Sequence, residues 1–138
     1  MIKHFVLDAS ALIAFFKDEK GSGKVEAILQ SAKKNRCAIS MNKLNLLEIF
    51  YGVYRDDGKE KAEETLKLIL GLPLKVVDVL SDDVFKEAGR LKATYKISLA
   101  DSIAVAEAKA GKALLITTDH HELDALDKSA EVKFFWIR

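Results

Sequence analysis

Ile2-Lys3-His4-Phe5-Val6-Leu7-Asp8-Ala9-Ser10-Ala11-Leu12-Ile13-Ala14-Phe15-Phe16 is the stretch that decides the fold class. Residues 2–7 are a short β-branched and aromatic run, the pattern of a strand covered on both faces. Ser10 is a good helix cap, and residues 11–16 are continuously apolar, so a helix follows at once. Strand then helix, with an acid at the junction, is the first unit.

Working outward, the same order recurs. Residues 17–23 are a polar break with two glycines. Val25, Ile28 and Leu29 then fall at helical spacing, up to the basic end Lys33-Lys34-Asn35-Arg36, which suits a helix C-terminus. Residues 37–40 predict a second strand. A long apolar helix runs from Asn42 through Leu44, Leu47, Phe50 and Tyr51 to Asp56-Asp57-Gly58, and a charged helix spans 59–70. Gly71 and Pro73 punctuate before a third strand at 74–77, and Ser81-Asp82-Asp83 opens a helix with two acids at its positive end. Ser98 caps a helix over 99–110, closed by Gly111, and strands are predicted at 113–117 and 132–137. Strands apolar on both faces that alternate with helices predict a mostly parallel sheet, covered on both sides. No repeat, linker or low-complexity stretch divides residues 1–138, so a single domain is expected.

Composition narrows the function. Of 138 residues, 49% are hydrophobic and 31% charged, enough to bury a proper core without disulfides or structural metal. Lys and Arg number 22 against 21 Asp and Glu, a formal charge of +1, which removes the simplest argument for a nucleic-acid binder. A single cysteine, Cys37, cannot form an intramolecular disulfide, and three histidines cannot complete a Cys/His zinc site. A reducing compartment is expected. The first eight residues do not have the pattern of a signal peptide, and no apolar run approaches the roughly 20 residues of a membrane span. A cytoplasmic protein with no membrane partner is the expectation.

Acids inside apolar runs are the informative residues, because an isolated buried carboxylate is strongly disfavoured unless paired, protonated or metal-bound. Asp18-Glu19, Asp56-Asp57, Glu60, Glu63-Glu64, Asp82-Asp83, Asp127 and Glu131 stand in charged company and are expected on solvated faces. Four others interrupt or end the most apolar segments: Asp8, Glu48 in Leu46-Leu47-Glu48-Ile49-Phe50, Asp101 in Leu99-Ala100-Asp101-Ser102-Ile103, and Asp119 after Leu114-Leu115-Ile116-Thr117-Thr118. Asp8 and Asp119 follow strands and so belong at the carboxyl edge of a parallel sheet, where open α/β folds bind ligands. Glu48 and Asp101 sit near helix starts that could face the same edge.

Four converging carboxylates without Lys or Arg would repel, and two divalent cations relieve this. Oxygen-only ligands suit Mg²⁺ or Mn²⁺, and such an ion pair can hydrolyse a phosphodiester. Each acid also has a purely structural reading. Asp8 could cap the following helix, Asp101 stands three residues after Ser98 as in a capping box, and Asp119 could be a turn residue. Asp78 ends a strand and could border the site, and reads first as a strand-end turn. Glu107, six positions past Asp101 and about 120° round the helix, is expected to face solvent.

The segments Val6-Leu7-Asp8-Ala9-Ser10-Ala11-Leu12-Ile13-Ala14, Leu47-Glu48-Ile49-Phe50-Tyr51-Gly52, Ser98 to Ala106 and Leu115-Ile116-Thr117-Thr118-Asp119 together resemble the PIN-domain nucleases. The likeness is greatest to the VapC-type toxin branch of prokaryotes. The resemblance covers essentially the whole chain and implies a PIN-like α/β/α sandwich with a five-stranded parallel sheet. It implies that Asp8, Glu48, Asp101 and Asp119 form the family's metal-binding and catalytic acidic quartet. Ser10 is then its small hydroxyl residue near the first acid, and Thr117 the hydroxyl residue two before the last. It further implies Mg²⁺- or Mn²⁺-dependent endoribonuclease activity on an RNA substrate, with up to two ions, a homodimer, and silencing by a small VapB-type antitoxin. His120-His121 stands where the family commonly has an arginine, and Glu122 and Asp124 leave room for a further acid at the metal edge. A PIN ribonuclease without an antitoxin is the neighbouring alternative.

Other classes fit less well. Lys20-Gly21-Ser22-Gly23-Lys24-Val25 lacks the first glycine, the Ser or Thr and the preceding strand of a P-loop, and reads as a flexible loop between helices. A receiver-like signalling module would use Asp8 and Asp78 but needs a Lys beyond the last strand, which Phe134-Phe135-Trp136-Ile137-Arg138 does not supply. A PIN fold kept only to bind a partner would not be expected to retain four buried acids. Lys33, Lys34, Arg36, Arg90, Lys92 and Lys96 are the candidates for RNA phosphates, against a plain role as solvated helix surface. Phe15, Phe16, Phe50, Tyr51 and Tyr54 read as core or dimer contact.

Overall fold

The structure is a computed structural model and describes residues 2–138. In chain order the elements are β1 (Lys3–Leu7), α1 (Ala9–Phe16), α2 (Ser22–Lys33), β2 (Cys37–Asn42), α3 (Lys43–Asp57), α4 (Lys59–Leu70), β3 (Lys75–Val77), α5 (Asp82–Thr94), α6 (Leu99–Ala110), β4 (Leu114–Thr117), α7 (His120–Lys128) and β5 (Lys133–Trp136). The five strands form one parallel sheet in the order β3-β2-β1-β4-β5. Strand order reverses between β1 and β4, so the crevice beyond their carboxyl ends is the topological switch point of the sheet.

The period of two in β1 explains why its sequence is apolar throughout. Phe5 and Leu7 enter one buried cluster with Leu12, Val25, Leu29, Met41, Ile49 and Ile69 from α1 to α4. Val6 enters another with Leu91, Val105, Leu123 and Leu126 from α5 to α7. Neighbouring Leu115 and Ile116 of β4 divide between the two clusters in the same way. Covering both faces is what makes a polar residue tolerable only at the strand end. The register sets Leu7 opposite Ile116, and Asp8 and Thr117 follow on adjacent strands. No helix among the described residues is long and apolar enough to cross a membrane.

Several local expectations are corrected. The cap of α1 is Asp8, whose side chain accepts from the Ala11 amide, and Ser10 already lies inside the first turn. Residues 22–24 are helical rather than a flexible loop, because Gly21 (φ 96°) turns the chain sharply into α2. A Cβ at Gly21 would stand 2.5 Å from the Ile137 carbonyl oxygen, so the glycine allows a close backbone approach. Helix α7 was not anticipated: its sequence HHELDALDK is mostly polar, and only Leu123 and Leu126 anchor it.

Two acids also differ from expectation. Glu131 is not a solvated acid but the centre of an ion cluster, accepting from Arg90 at 2.7 Å, Lys109 at 2.9 Å and the Tyr95 hydroxyl at 2.6 Å. These partners hold its carboxyl down to about 2, Arg90 contributing most. Glu107 does not face solvent; one carboxylate oxygen is buried with no hydrogen-bond partner, and burial raises its pKa.

Candidate metal centre

Asp8 ends β1 and is 1% exposed. Its Oδ1 accepts from the Ala11 amide at 2.9 Å and from the Ser10 hydroxyl at 2.8 Å, while its Oδ2 is buried with no hydrogen-bond partner among the described residues. Burial pushes the carboxyl up to about 6; the nearby Thr117 hydroxyl, the Ala11 amide and Ser10 oppose the rise, and the charge of Asp119 adds to it. Ser10 and Thr117 place their hydroxyl oxygens 3.3 Å apart. Ser10 accepts from the Thr118 amide at 3.1 Å and Thr117 from the Asp119 amide at 3.0 Å. The two hydroxyls thus lace the ends of β1 and β4 together around Asp8.

Asp101, Asp119 and Glu122 each bring a carboxylate oxygen within 4.8 Å of the others. Asp101 lies in the first turn of α6, capped by Ser98 through its amide at 3.1 Å. Its carboxyl does not close a capping box; it meets Glu122 instead. Burial raises the Asp101 pKa, followed by its hydrogen bond to Glu122 and the charges of Asp8, Glu122 and Asp119. Glu122 moves the other way, held down chiefly by that hydrogen bond and then by Ser98. The two carboxyls therefore respond to protonation as a pair. Asp119 caps α7 and accepts from the Glu122 amide at 3.2 Å.

Glu48, in the second turn of α3, is half-buried; burial raises its pKa, and the charges of Glu122 and Asp119 add to the effect. The sequence-derived quartet is thus gathered at one place. Asp101 and Asp119 lie in the tight cluster, whereas Asp8 and Glu48 border it. Glu122 completes the cluster, and the i, i+3 spacing from Asp119 to Glu122, that of an acidic helix start, is its signal in the sequence.

Among the described residues, no lysine or arginine forms an ion pair with these five acids. The compensating field comes from backbone: Asp8, Asp101 and Asp119 with Glu122 stand at the amino ends of α1, α6 and α7, whose partial positive charges point into the crevice. Asp124 is exposed and its carboxylate accepts from the His120 ring at 2.8 Å, and Asp78 is exposed beyond the edge strand β3. Lys33, Lys34 and Arg36 precede β2 and so lie at the amino end of the sheet, away from the acids. Arg90 is engaged by Glu87 and Glu131, and Lys92 donates to the Ile97 carbonyl at 2.8 Å.

Residues 5–129 match the PIN-domain family. The chain belongs to that family. The PIN domain superposes on VapBC2 from Rickettsia felis bound to a promoter DNA fragment with a TM-score of 0.75 at 19% identity, covering 96% of this chain and 98% of that one. DNA-bound VapBC from Salmonella typhimurium gives 0.73 at 14% identity over 100% of both chains. VapC20 from Mycobacterium tuberculosis, a toxin that cleaves the sarcin-ricin loop, gives 0.65 at 13% identity, covering 88% of this chain and 94% of that one. These likenesses establish the α/β/α PIN fold with its five-stranded parallel sheet. None of the curated proteins matches the chain in sequence.

The donor set of this PIN domain suits a hard divalent cation: oxygen ligands only, three within reach of one point, and a fourth carboxylate oxygen, Asp8 Oδ2, buried and unpartnered.

Proposed function

We propose that the protein is a Mg²⁺- or Mn²⁺-dependent endoribonuclease of the VapC type, the toxin of a toxin–antitoxin pair, acting in the cytoplasm as a single-domain chain. The observation that carries this reading is the convergence of Asp101, Asp119 and Glu122 at the switch point of the sheet beside the free oxygen of Asp8. Asp8, Glu48, Asp101 and Asp119, joined by Glu122, would hold up to two ions. A bound ion of this kind supplies Lewis acidity toward a phosphodiester and lowers the pKa of water.

The protein's own groups do the positioning. Ser10 and the Ala11 amide occupy Oδ1 of Asp8 and so fix which way its other oxygen faces, and Thr117 stands against Ser10. The hydrogen bond between Asp101 and Glu122 relieves part of the repulsion within the cluster. The helix amino ends favour anions at the crevice, the substrate's phosphate included. Lys96, exposed just before α6, is the basic side chain best placed to meet that phosphate among those considered from sequence.

VapC20 cleaves the sarcin-ricin loop, and several of the similar folds are those of VapBC complexes. Loop or single-stranded RNA is accordingly the substrate class we assign, and a VapB-type antitoxin the partner. Two apolar faces support protein partners. One is a groove of about 680 Å³ on α5 and α6, with Leu80, Phe85, Leu99 and Ile103, which we assign to a second copy of the chain. The other is the outer face of α3, where Leu47, Tyr51 and Tyr54 are exposed, which we assign to the antitoxin.

The test is cleavage of structured RNA by purified protein with Mg²⁺ or Mn²⁺. Activity lost in EDTA, and in both Asp101→Asn and Glu122→Gln with native circular dichroism, is expected. Undiminished cleavage in excess EDTA, or by Asp101→Asn, would overturn the metal–carboxylate reading.

A further inference from the structure

Asn45 lies in the first turn of α3, is 1% exposed, and belongs to neither the acidic cluster nor the apolar core. Its Oδ1 accepts from the Ala9 amide at 3.1 Å, and its Nδ2 donates to the Ala100 carbonyl at 3.2 Å. Ala9 directly follows Asp8, and Ala100 directly precedes Asp101. One side chain therefore ties together the backbones that carry two of the acids, across 36 residues in one direction and 55 in the other.

The chemistry of the two partners leaves little freedom. A backbone N–H can only donate and a carbonyl can only accept, so the bridge requires an acceptor and a donor on one rigid group, and a carboxamide is that group. Aspartate lacks the donor, and alanine lacks both. The carboxamide is itself held: Asn42 caps α3 by accepting from the Asn45 amide at 2.7 Å, which fixes the first turn from which the side chain projects. Helix α3 packs on both α1 and α6, whereas those two helices scarcely touch one another. Helix α6 also packs on β1 and β4, so the sheet sets the coarse separation of Asp8 and Asp101, and Asn45 ties the two backbones directly by hydrogen bonds.

We propose that Asn45 is a positioning residue that sets the spacing of Asp8 and Asp101 and thereby the affinity of the cluster for its divalent cation. The proposal rests on the metal-dependent reading above. It goes beyond that reading by assigning a non-ligand residue the role of gauge. Outer groups that orient metal ligands typically contribute about 10- to 100-fold in metal affinity, and that is the range expected here.

The experiment compares wild type, Asn45→Ala and Asn45→Asp by calorimetric titration with Mn²⁺, at a temperature where thermal unfolding shows each to be folded. RNA cleavage is measured on the same samples. Asn45→Ala should weaken Mn²⁺ binding about 10- to 100-fold and lower kcat while leaving KM for RNA near wild type. Should Asn45→Ala not fold, Asn45→Asp decides. Its added negative charge by itself would tighten cation binding, whereas loss of the bond to Ala100 should weaken it. Native Mn²⁺ affinity in Asn45→Ala with only a lower Tm, or tighter binding in Asn45→Asp, would overturn the gauge and leave a structural residue. Failure of the wild type to bind Mn²⁺ would instead overturn the metal-dependent reading, and the gauge with it.

Discussion

Replacing Asp8 by asparagine should stabilise the metal-free protein and make it blind to metal. The Asp8 carboxyl is raised to about 6 from an ordinary 3.8, burial being the main cause. Each unit corresponds to about 1.4 kcal/mol, so holding this group ionised at neutral pH costs the fold ~3 kcal/mol. The sign follows from the direction of the shift. The folded-state pKa lies above the unfolded one, so the penalty is complete above about pH 6. It shrinks as pH falls from there and is gone below the ordinary value.

Asparagine keeps an oxygen for Ala11 and Ser10 but puts an amide nitrogen where Oδ2 now lacks a partner, which returns part of the gain. A net rise of about 1–2 kcal/mol, or roughly 4–8 °C in Tm, is expected for Asp8→Asn in EDTA at pH 7.5, and almost none at pH 4. Saturating Mn²⁺ reverses the order, because at a hundred times Kd it should stabilise wild type by about 2.7 kcal/mol and leave the variant unmoved. Thermal unfolding by circular dichroism under these conditions reads all of this. A variant less stable than wild type in EDTA at pH 7.5, or equally favoured at both pH values, would refute the reasoning.

Other perturbations have equally direct readouts. Gly21→Ala forces a methyl against the Ile137 carbonyl at a positive φ and should cost about 2–3 kcal/mol, seen as a Tm lower by roughly 10 °C. Glu131→Gln removes the hub shared by Arg90, Lys109 and Tyr95 and should cost about 1 kcal/mol; an unchanged Tm would mean the cluster is idle. Because the Glu131 carboxyl is held down to about 2, its contribution is present above its ordinary range and is lost as pH falls toward that value. The Tm difference between wild type and Glu131→Gln should therefore narrow on acidification. Phe85→Glu charges the centre of the α5–α6 apolar groove, where Phe85 is 63% exposed, and should convert a dimer to a monomer in sedimentation equilibrium. A dimer that persists would place the self-contact elsewhere.

The sheet was legible because parallel strands covered on both faces leave unbroken apolar runs, and each run here ends on a polar residue. That pattern points to Asp8 and Asp119 at the carboxyl edge, where both stand. Glu107 and Glu131 were misplaced for a common reason: neighbours in sequence do not report which helix packs over a given face. Glu107 is covered and its oxygen left unpartnered, while Glu131 gathers cations from α5 and α6. Helix α7 was hidden because two buried leucines suffice to seat a short polar helix, so local pattern could offer Glu122 and Asp124 as further acids without choosing between them.

The sequence by itself determined the α/β class and the strand ends that carry acids, since each follows from local apolar pattern and the high cost of burying charge. Only the tertiary structure decided which acids meet. It joined Glu122 to Asp101 and Asp119, set Asp8 and Glu48 at the border, and spanned the crevice with Asn45. The physical reason is that hydrogen bonds to backbone atoms 36 and 55 residues away have no signature in local periodicity. The geometry of a metal centre depends on such bonds.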